Sequence, residues 1–153
     1  MSIRVFLDTN ILLGGLNKNR QKPEVIIRGW AEQGLIRPVI CMRAIREGMI
    51  TIGKEERFPD PMRMGLAYLN WIVNGIASNT IEMVDEPDKL TVLAARSRID
   101  DHDDAWWLAL AEREQCDVVT EDKVFRQSRP DKISIYSSRE FIDHWKNEFE
   151  TSS

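Results

Sequence analysis

A short apolar run, Ile3-Arg4-Val5-Phe6-Leu7, passes directly into Asp8-Thr9-Asn10, and a later run, Asp117-Val118-Val119-Thr120, passes into Glu121-Asp122. Both runs have strand length, and the segments between them carry helical periodicity. Strands alternating with helices imply a parallel sheet covered on both faces. In such a sheet ligands gather outside the carboxyl ends of the strands, so acids placed there face a shared crevice. Carboxylates crowded into one crevice raise one another's pKa and destabilise the fold, which is why they usually accompany a hard cation.

The 153 residues suffice for one domain spanning 1–153 with a sizeable core. No apolar run reaches the roughly 18 residues needed to span a membrane, and the N-terminus has no signal-peptide pattern, so the expectation is a soluble, cytoplasmic protein with no membrane partner. Cys41 and Cys116 stand alone beside apolar stretches and read as buried free thiols in a reducing compartment. A net charge of −4 argues against a general nucleic-acid coat. It does not exclude a nuclease, because an acidic catalytic cluster lowers the total by itself.

Along the chain, the pattern predicts a strand over 3–7 and a helix opening near Pro23, with Val25, Ile26, Trp30 and Leu35 as its buried stripe and Gly34 at its end. A second strand over 37–41, a helix over 42–52 and a loop from Gly53 to Asp60, with Lys54, Glu55, Glu56, Arg57 and Pro59, come next. Leu66, Leu69, Ile72, Val73 and Ile76 recur at helical spacing, and a strand over 81–84 follows. Further helices are expected over 87–97 and 103–115, strands over 117–120 and 133–136, and a last helix capped by Ser138. The fold class is therefore α/β, a three-layer sandwich with a central, mostly parallel sheet. No repeat, low-complexity tract or linker divides it.

The helix over 103–115 contains Ala105-Trp106-Trp107-Leu108-Ala109-Leu110-Ala111, apolar all the way round, and so is buried on more than one side. Ahead of it lie Asp100, Asp101, His102, Asp103 and Asp104. One of these acids serves as the N-cap, and four exceed what a cap requires. The two tryptophans read as core or subunit contacts rather than as platforms for bases.

These residues carry a family resemblance. Val5-Phe6-Leu7-Asp8-Thr9-Asn10-Ile11-Leu12-Leu13, then Arg46-Glu47-Gly48, then Asp104-Ala105, then Val118-Val119-Thr120-Glu121-Asp122 resemble, in order, the pattern of PIN-domain proteins, which include the VapC-type toxins of toxin-antitoxin pairs. The resemblance spans nearly the whole chain and implies a metal-dependent endoribonuclease, a homodimer or larger assembly, RNA as substrate and, for a toxin, an antitoxin partner. That partner would insert an extended or helical segment with an arginine near the carboxylates. Residues 53–79 look longer and more irregular than the helical pair of the small toxins. Trp106-Trp107 replaces smaller aliphatics and offers an apolar surface for dimerisation.

Asp8, Glu47, Asp104 and Asp122 supply hard oxygen donors for Mg²⁺ or Mn²⁺, which activate water and neutralise charge at a scissile phosphate. Asp8 and Asp104 are read as direct ligands, and Asp122 as a ligand directly or through water. Glu47 either ligates or positions the water. Asn10 and Thr120 are expected to orient these carboxylates by hydrogen bonds. Glu121 and Asp101 are auxiliary candidates, and His102 is read as facing solvent. Arg43, Arg46, Lys123 and Arg126 are the candidates for RNA phosphate contacts, with Arg20 and Lys22 behind them. The competing readings are an RNA-processing rather than toxin nuclease, a phosphotransferase or receiver-type domain, and a non-catalytic binding module. Asn10, where an aspartyl-nucleophile enzyme wants a second acid, speaks against the phosphotransfer reading.

Overall fold

The computed structural model describes residues 2–151 apart from 57 and 129. Five strands, β1 (Ile3–Leu7), β2 (Ile36–Ile40), β3 (Glu82–Met83), β4 (Asp117–Val119) and β5 (Ile135–Tyr136), form one all-parallel sheet in the order β3-β2-β1-β4-β5. The chain builds outward from β1 through β2 to β3, then returns to the other side of β1 for β4 and β5. The reversal falls between β1 and β4, the place where an open α/β sheet parts its flanking loops into a crevice.

Eight helices flank the sheet among the described residues: α1 (Thr9–Gly14), α2 (Pro23–Glu32), α3 (Met42–Lys54), α4 (Pro61–Ala77), α5 (Lys89–Ala95), α6 (His102–Glu114), α7 (Lys123–Arg126) and α8 (Ser138–Thr151). Parallel neighbours need such crossovers, and the covered strands are correspondingly apolar: Val5, Phe6, Leu7, Val39, Ile40, Val118 and Val119 are all buried. The helix expected near Pro23 does start there. Its deepest residues are Ile27 and Ala31, with Ile26 and Trp30 packed at the margin of the core. Gly34 ends it in the left-handed region at φ 75°, and Leu35 N–H donates to Trp30 O at 2.9 Å, a backbone reversal that favours glycine.

Residues 53–79 prove more regular than expected. Helix α3 extends to Lys54, and Asp60 caps a single 17-residue helix, α4. Arg57, within the expected loop, lies outside the described residues. Helices α3 and α4 close on each other at Gly48, where an added Cβ would fall 2.4 Å from the buried Tyr68 ring, whose hydroxyl donates to Ala44 O at 2.9 Å. At α8 the cap is Ser137 rather than Ser138. Ser137 N–H donates to Glu140 Oε1 and Glu140 N–H donates to Ser137 Oγ, each at 3.1 Å, which is a reciprocal capping box. Helix α6 is buried continuously from Ala105 to Ala111. Trp107 packs on Phe6 with ring centroids 5.0 Å apart, and Trp106 meets Trp107 edge-on at 4.8 Å. Both tryptophans are therefore core residues, and the expected dimerisation surface at this pair is not available. Cys41 and Cys116 are buried and unpaired, as expected, and burial pushes the Cys116 thiol up to about 11.

Candidate active site

Strand β1 ends at Leu7, and Asp8 turns the chain into α1. Its backbone N–H donates to Val119 O at 3.0 Å, which ties this corner to β4, and its Oδ1 accepts from Thr9 N–H at 2.7 Å. Its Oδ2 accepts from Thr120 Oγ1 at 2.7 Å, and the same Thr120 hydroxyl oxygen accepts Asp122 N–H at 3.1 Å. Thr120 is fully buried. One hydroxyl thus links the first and last acids of the candidate set. Burial raises the Asp8 carboxyl above its ordinary range against the two hydrogen bonds that lower it, and the charges of Glu47 and Asp122 raise it further.

Glu47 reaches the same crevice from α3. Its Oε2 lies 3.4 Å from Thr9 Oγ1, and its Oε1 accepts from Arg43 Nε at 2.9 Å, one helical turn earlier. The Arg43 guanidinium also pairs with Asp103 and lies over the Trp106 ring, 4.6 Å from its centroid. Asp8, Thr9, Asn10, Glu47, Ile50, Thr51, Asp103 and Trp107 line a cleft of about 290 Å³.

Asp101 is the N-cap of α6, accepting Asp104 N–H at 2.9 Å, so the acid four residues ahead of Ala105 does the capping and Asp104 is left to project from the first turn. Asp122 caps α7, its Oδ1 accepting Val124 N–H at 2.9 Å and Phe125 N–H at 3.3 Å. The Asp104 carboxyl is pushed up to about 7, first by burial, then by the charges of Asp122 and Asp101, with a hydrogen bond to Asp122 and the charge of Asp8 adding to it. Burial disfavours the charged form of this carboxyl, and the neighbouring acids disfavour it further.

The structure thus brings Asp8, Glu47, Asp104 and Asp122 to one end of the sheet, from β1, α3, α6 and the β4 end. Among the described residues no three His, Cys, Asp or Glu side chains stand close enough to make a ready-made metal cage. The donor set is nonetheless all carboxylate, the class that suits Mg²⁺ or Mn²⁺, and its mutual repulsion is what a divalent cation would relieve. Asn10 lies exposed on the cleft wall. Glu121 points elsewhere: its Oε1 accepts from Ser138 N–H at 2.8 Å and from the Ser138 hydroxyl, which fixes the start of α8.

The cations divide. Arg43, expected to meet phosphate, is instead committed to Glu47, Asp103 and Trp106, and Arg126 lies 3.6 Å from Glu140. Arg46 and Lys123 are exposed, as are Arg20 and Lys22. His102 is exposed at the opening of α6, as expected. Sequence reasoning missed the Arg43 bridge, although its i,i+4 spacing to Glu47 on a helix was the available signal.

A sequence profile for the PIN domain matches residues 4–124. In three dimensions the chain resembles the crystal structure of PAE2754 from Pyrobaculum aerophilum, with a TM-score of 0.64 at 13% identity over 96% of this chain and 98% of that one. It also resembles the structure of FitAB bound to the IR36 DNA fragment, with a TM-score of 0.59 at 16% identity over 88% of this chain and 94% of that one. No curated protein sequence matches the chain significantly.

Proposed function

Because this chain belongs to the PIN-domain family, whose members are nucleases, we propose that it is a Mg²⁺- or Mn²⁺-dependent endoribonuclease and the toxin of a toxin-antitoxin pair. The observation that carries the reading is the convergence of Asp8, Glu47, Asp104 and Asp122 at the sheet's switch point, with Asp104 held up at about 7 first by burial and then by its acidic neighbours. Asp8 and Asp104 are the direct ligands in this reading, Asp122 ligates directly or through water, and Glu47 ligates or positions water. A bound divalent ion supplies charge neutralisation at the scissile phosphate and a more acidic water.

The chain's own residues prepare that chemistry. Thr120 and Thr9 N–H fix both Asp8 oxygens, so Asp8 spends no rotamer freedom when a cation arrives. Arg43 holds Glu47 Oε1 and leaves Oε2 toward Thr9 and the cleft. The α7 backbone holds Asp122 Oδ1 and leaves Oδ2 for the crevice. Arg46 and Lys123 are the candidates for meeting the RNA backbone beside this acidic hole.

The VapC-type resemblance supports the toxin setting, an antitoxin that covers the crevice, the cytoplasm as location and assembly into at least a homodimer. Among the described residues no helix is long and apolar enough to cross a membrane. The test is cleavage of a mixed RNA pool by purified protein with Mg²⁺ or Mn²⁺. Cleavage lost with EDTA, with Asp8→Asn and with Asp104→Asn, by on the order of 100-fold or more, supports the reading. A folded wild-type protein that cuts no RNA in either metal overturns it.

A further inference from the structure

Immediately beside the acidic cleft lies a second one of different character. Pro87, Lys89, Val92, Leu93, His102 and Trp106, together with Arg43, line a cavity of about 340 Å³, in the size range of small-ligand sites. The two clefts share α6. Asp103 and Trp107 line the acidic cleft, while His102 and Trp106 line the second. Arg43, which lines the second cleft, links the two linings, paired with Glu47 and Asp103 of the first and lying over Trp106 of the second.

We propose that this second cleft is a nucleobase subsite, holding one unstacked base of the RNA strand whose phosphodiester lies at the carboxylates, and so setting the sequence preference of cleavage. The occupant follows from the lining. Pro87 and Val92 are buried and give an apolar floor, and Leu93 is 59% exposed at its edge, a cost in water that a covering base removes. His102 is exposed and offers an aromatic ring of the kind on which single-stranded RNA bases stack. Lys89 is also exposed, a full positive charge at the rim for a flanking phosphate, whereas Arg43 is already neutralised. A strand threaded past Arg43 would occupy both clefts at once. The inference rests on the nuclease reading for the strand's passage through the acidic cleft.

The experiment compares the full wild-type chain with Leu93→Trp, which fills the cleft, and with Lys89→Glu and Leu93→Glu, all at exposed positions. Cleavage of a mixed RNA pool in Mn²⁺ is sequenced at the cut ends, and binding of short single-stranded RNAs to metal-free protein is followed by fluorescence anisotropy. The expected result is a nucleotide preference next to the cut in the wild type that flattens in Leu93→Trp. RNA binding should weaken on the order of 10-fold in Leu93→Trp and Lys89→Glu, with Mn²⁺ affinity and thermal stability unchanged. Cleavage with the same preference and RNA affinity in all three variants overturns the subsite and leaves the nuclease standing, as a surface for a protein partner would produce. RNA binding that weakens in the variants of a protein that cuts nothing upholds the base contact but overturns its role in cleavage preference, and removes the nuclease. Wild-type protein that neither binds nor cuts RNA overturns both.

Discussion

Strand β1 carries Arg4 near one end and Asp8 just past the other, and the two ends of the sheet treat acidic residues in opposite ways. At the first end, Arg4 donates Nε to Glu82 Oε2 at 2.8 Å and Nη2 to Glu82 Oε1 at 3.1 Å, and reaches Glu114 Oε1 at 2.9 Å. There the Arg4 guanidinium holds the Glu82 carboxyl below its ordinary value. At the second end the Asp8 and Asp104 carboxyls are raised by burial and by other acids. A structural cluster of acids arrives with its cation in the sequence, while the crevice lacks enough of them. Among the described residues, the acids that Arg43 pairs with are Glu47 and Asp103, and not Asp8, Asp104 or Asp122. In the metal-dependent reading proposed above, a cation from outside would relieve that imbalance.

The sharpest way to probe the contrast is Thr120→Val, which keeps shape and deletes the hydroxyl that donates to Asp8 and accepts from Asp122. Mn²⁺ affinity should fall by about 10–100-fold, measured by calorimetry. The first end should feel nothing, so an unchanged affinity would mean that the Asp8 orientation is set by the backbone alone.

Much of this contrast is legible in the sequence. Asp8 and the Thr120-to-Asp122 segment announce themselves because a strand-length apolar run that stops at an acid has few other readings. Glu47 does not: nothing in Arg46-Glu47-Gly48 distinguishes it from a solvated helix residue, and only the resemblance singles it out. Helices α1 and α7 escape detection because six and four residues are too few for a periodicity, and both are set by an aspartate cap, Asp8 and Asp122, already read as a ligand candidate. The apolar stretch at Trp106-Trp107 correctly implies burial, but sequence cannot tell a subunit surface from the underside of β1, where Phe6 waits. Arg43 is misjudged for a similar reason. A cation near an acidic hole suits phosphate, and only the geometry reveals that Asp103, 60 residues away, claims it. The second cleft, built from the packing of α5 on α6, has no local signature at all.

Breaking the first end should cost stability and spare chemistry. Arg4→Ala removes the main cation partner of Glu82, which among the described residues keeps only Arg37 at 3.9 Å, while Glu114 keeps Arg113 at 2.9 Å, and should destabilise by about 1 kcal/mol, less than a fully buried pair because solvent screens the charges. Urea unfolding measures it. RNA cleavage at a temperature where the variant is folded should match wild type, and a loss there would mean that the two ends communicate through β1.

The converse substitution should stabilise. Asp104→Asn removes one repelling carboxylate, so at pH 8 and without metal the variant should exceed wild type by about 1 kcal/mol after allowance for solvent screening, or some 2–4 °C in melting temperature. Added Mn²⁺ should reverse the ranking, since it stabilises only the protein that binds it. A metal-free variant that melts below wild type would assign Asp104 a structural role like that of Glu82.

The smallest effect separates the ends by pH. The Glu82 carboxyl lies below its ordinary value of 4.5 when folded, so in acid the unfolded chain takes up the proton more readily. The stability that Glu82 contributes is therefore complete above about pH 4.5 and is lost as the pH falls through the folded value. Exposure of the Arg4 pair holds the contribution to some tenths of a kcal/mol. Glu82→Gln should accordingly lower the urea midpoint slightly at pH 7, and the difference should shrink as the pH falls below about 4.5. A difference that does not shrink with falling pH would show that the Glu82 side chain acts by packing, and the charge contrast between the two ends of the sheet would then rest on the crevice alone.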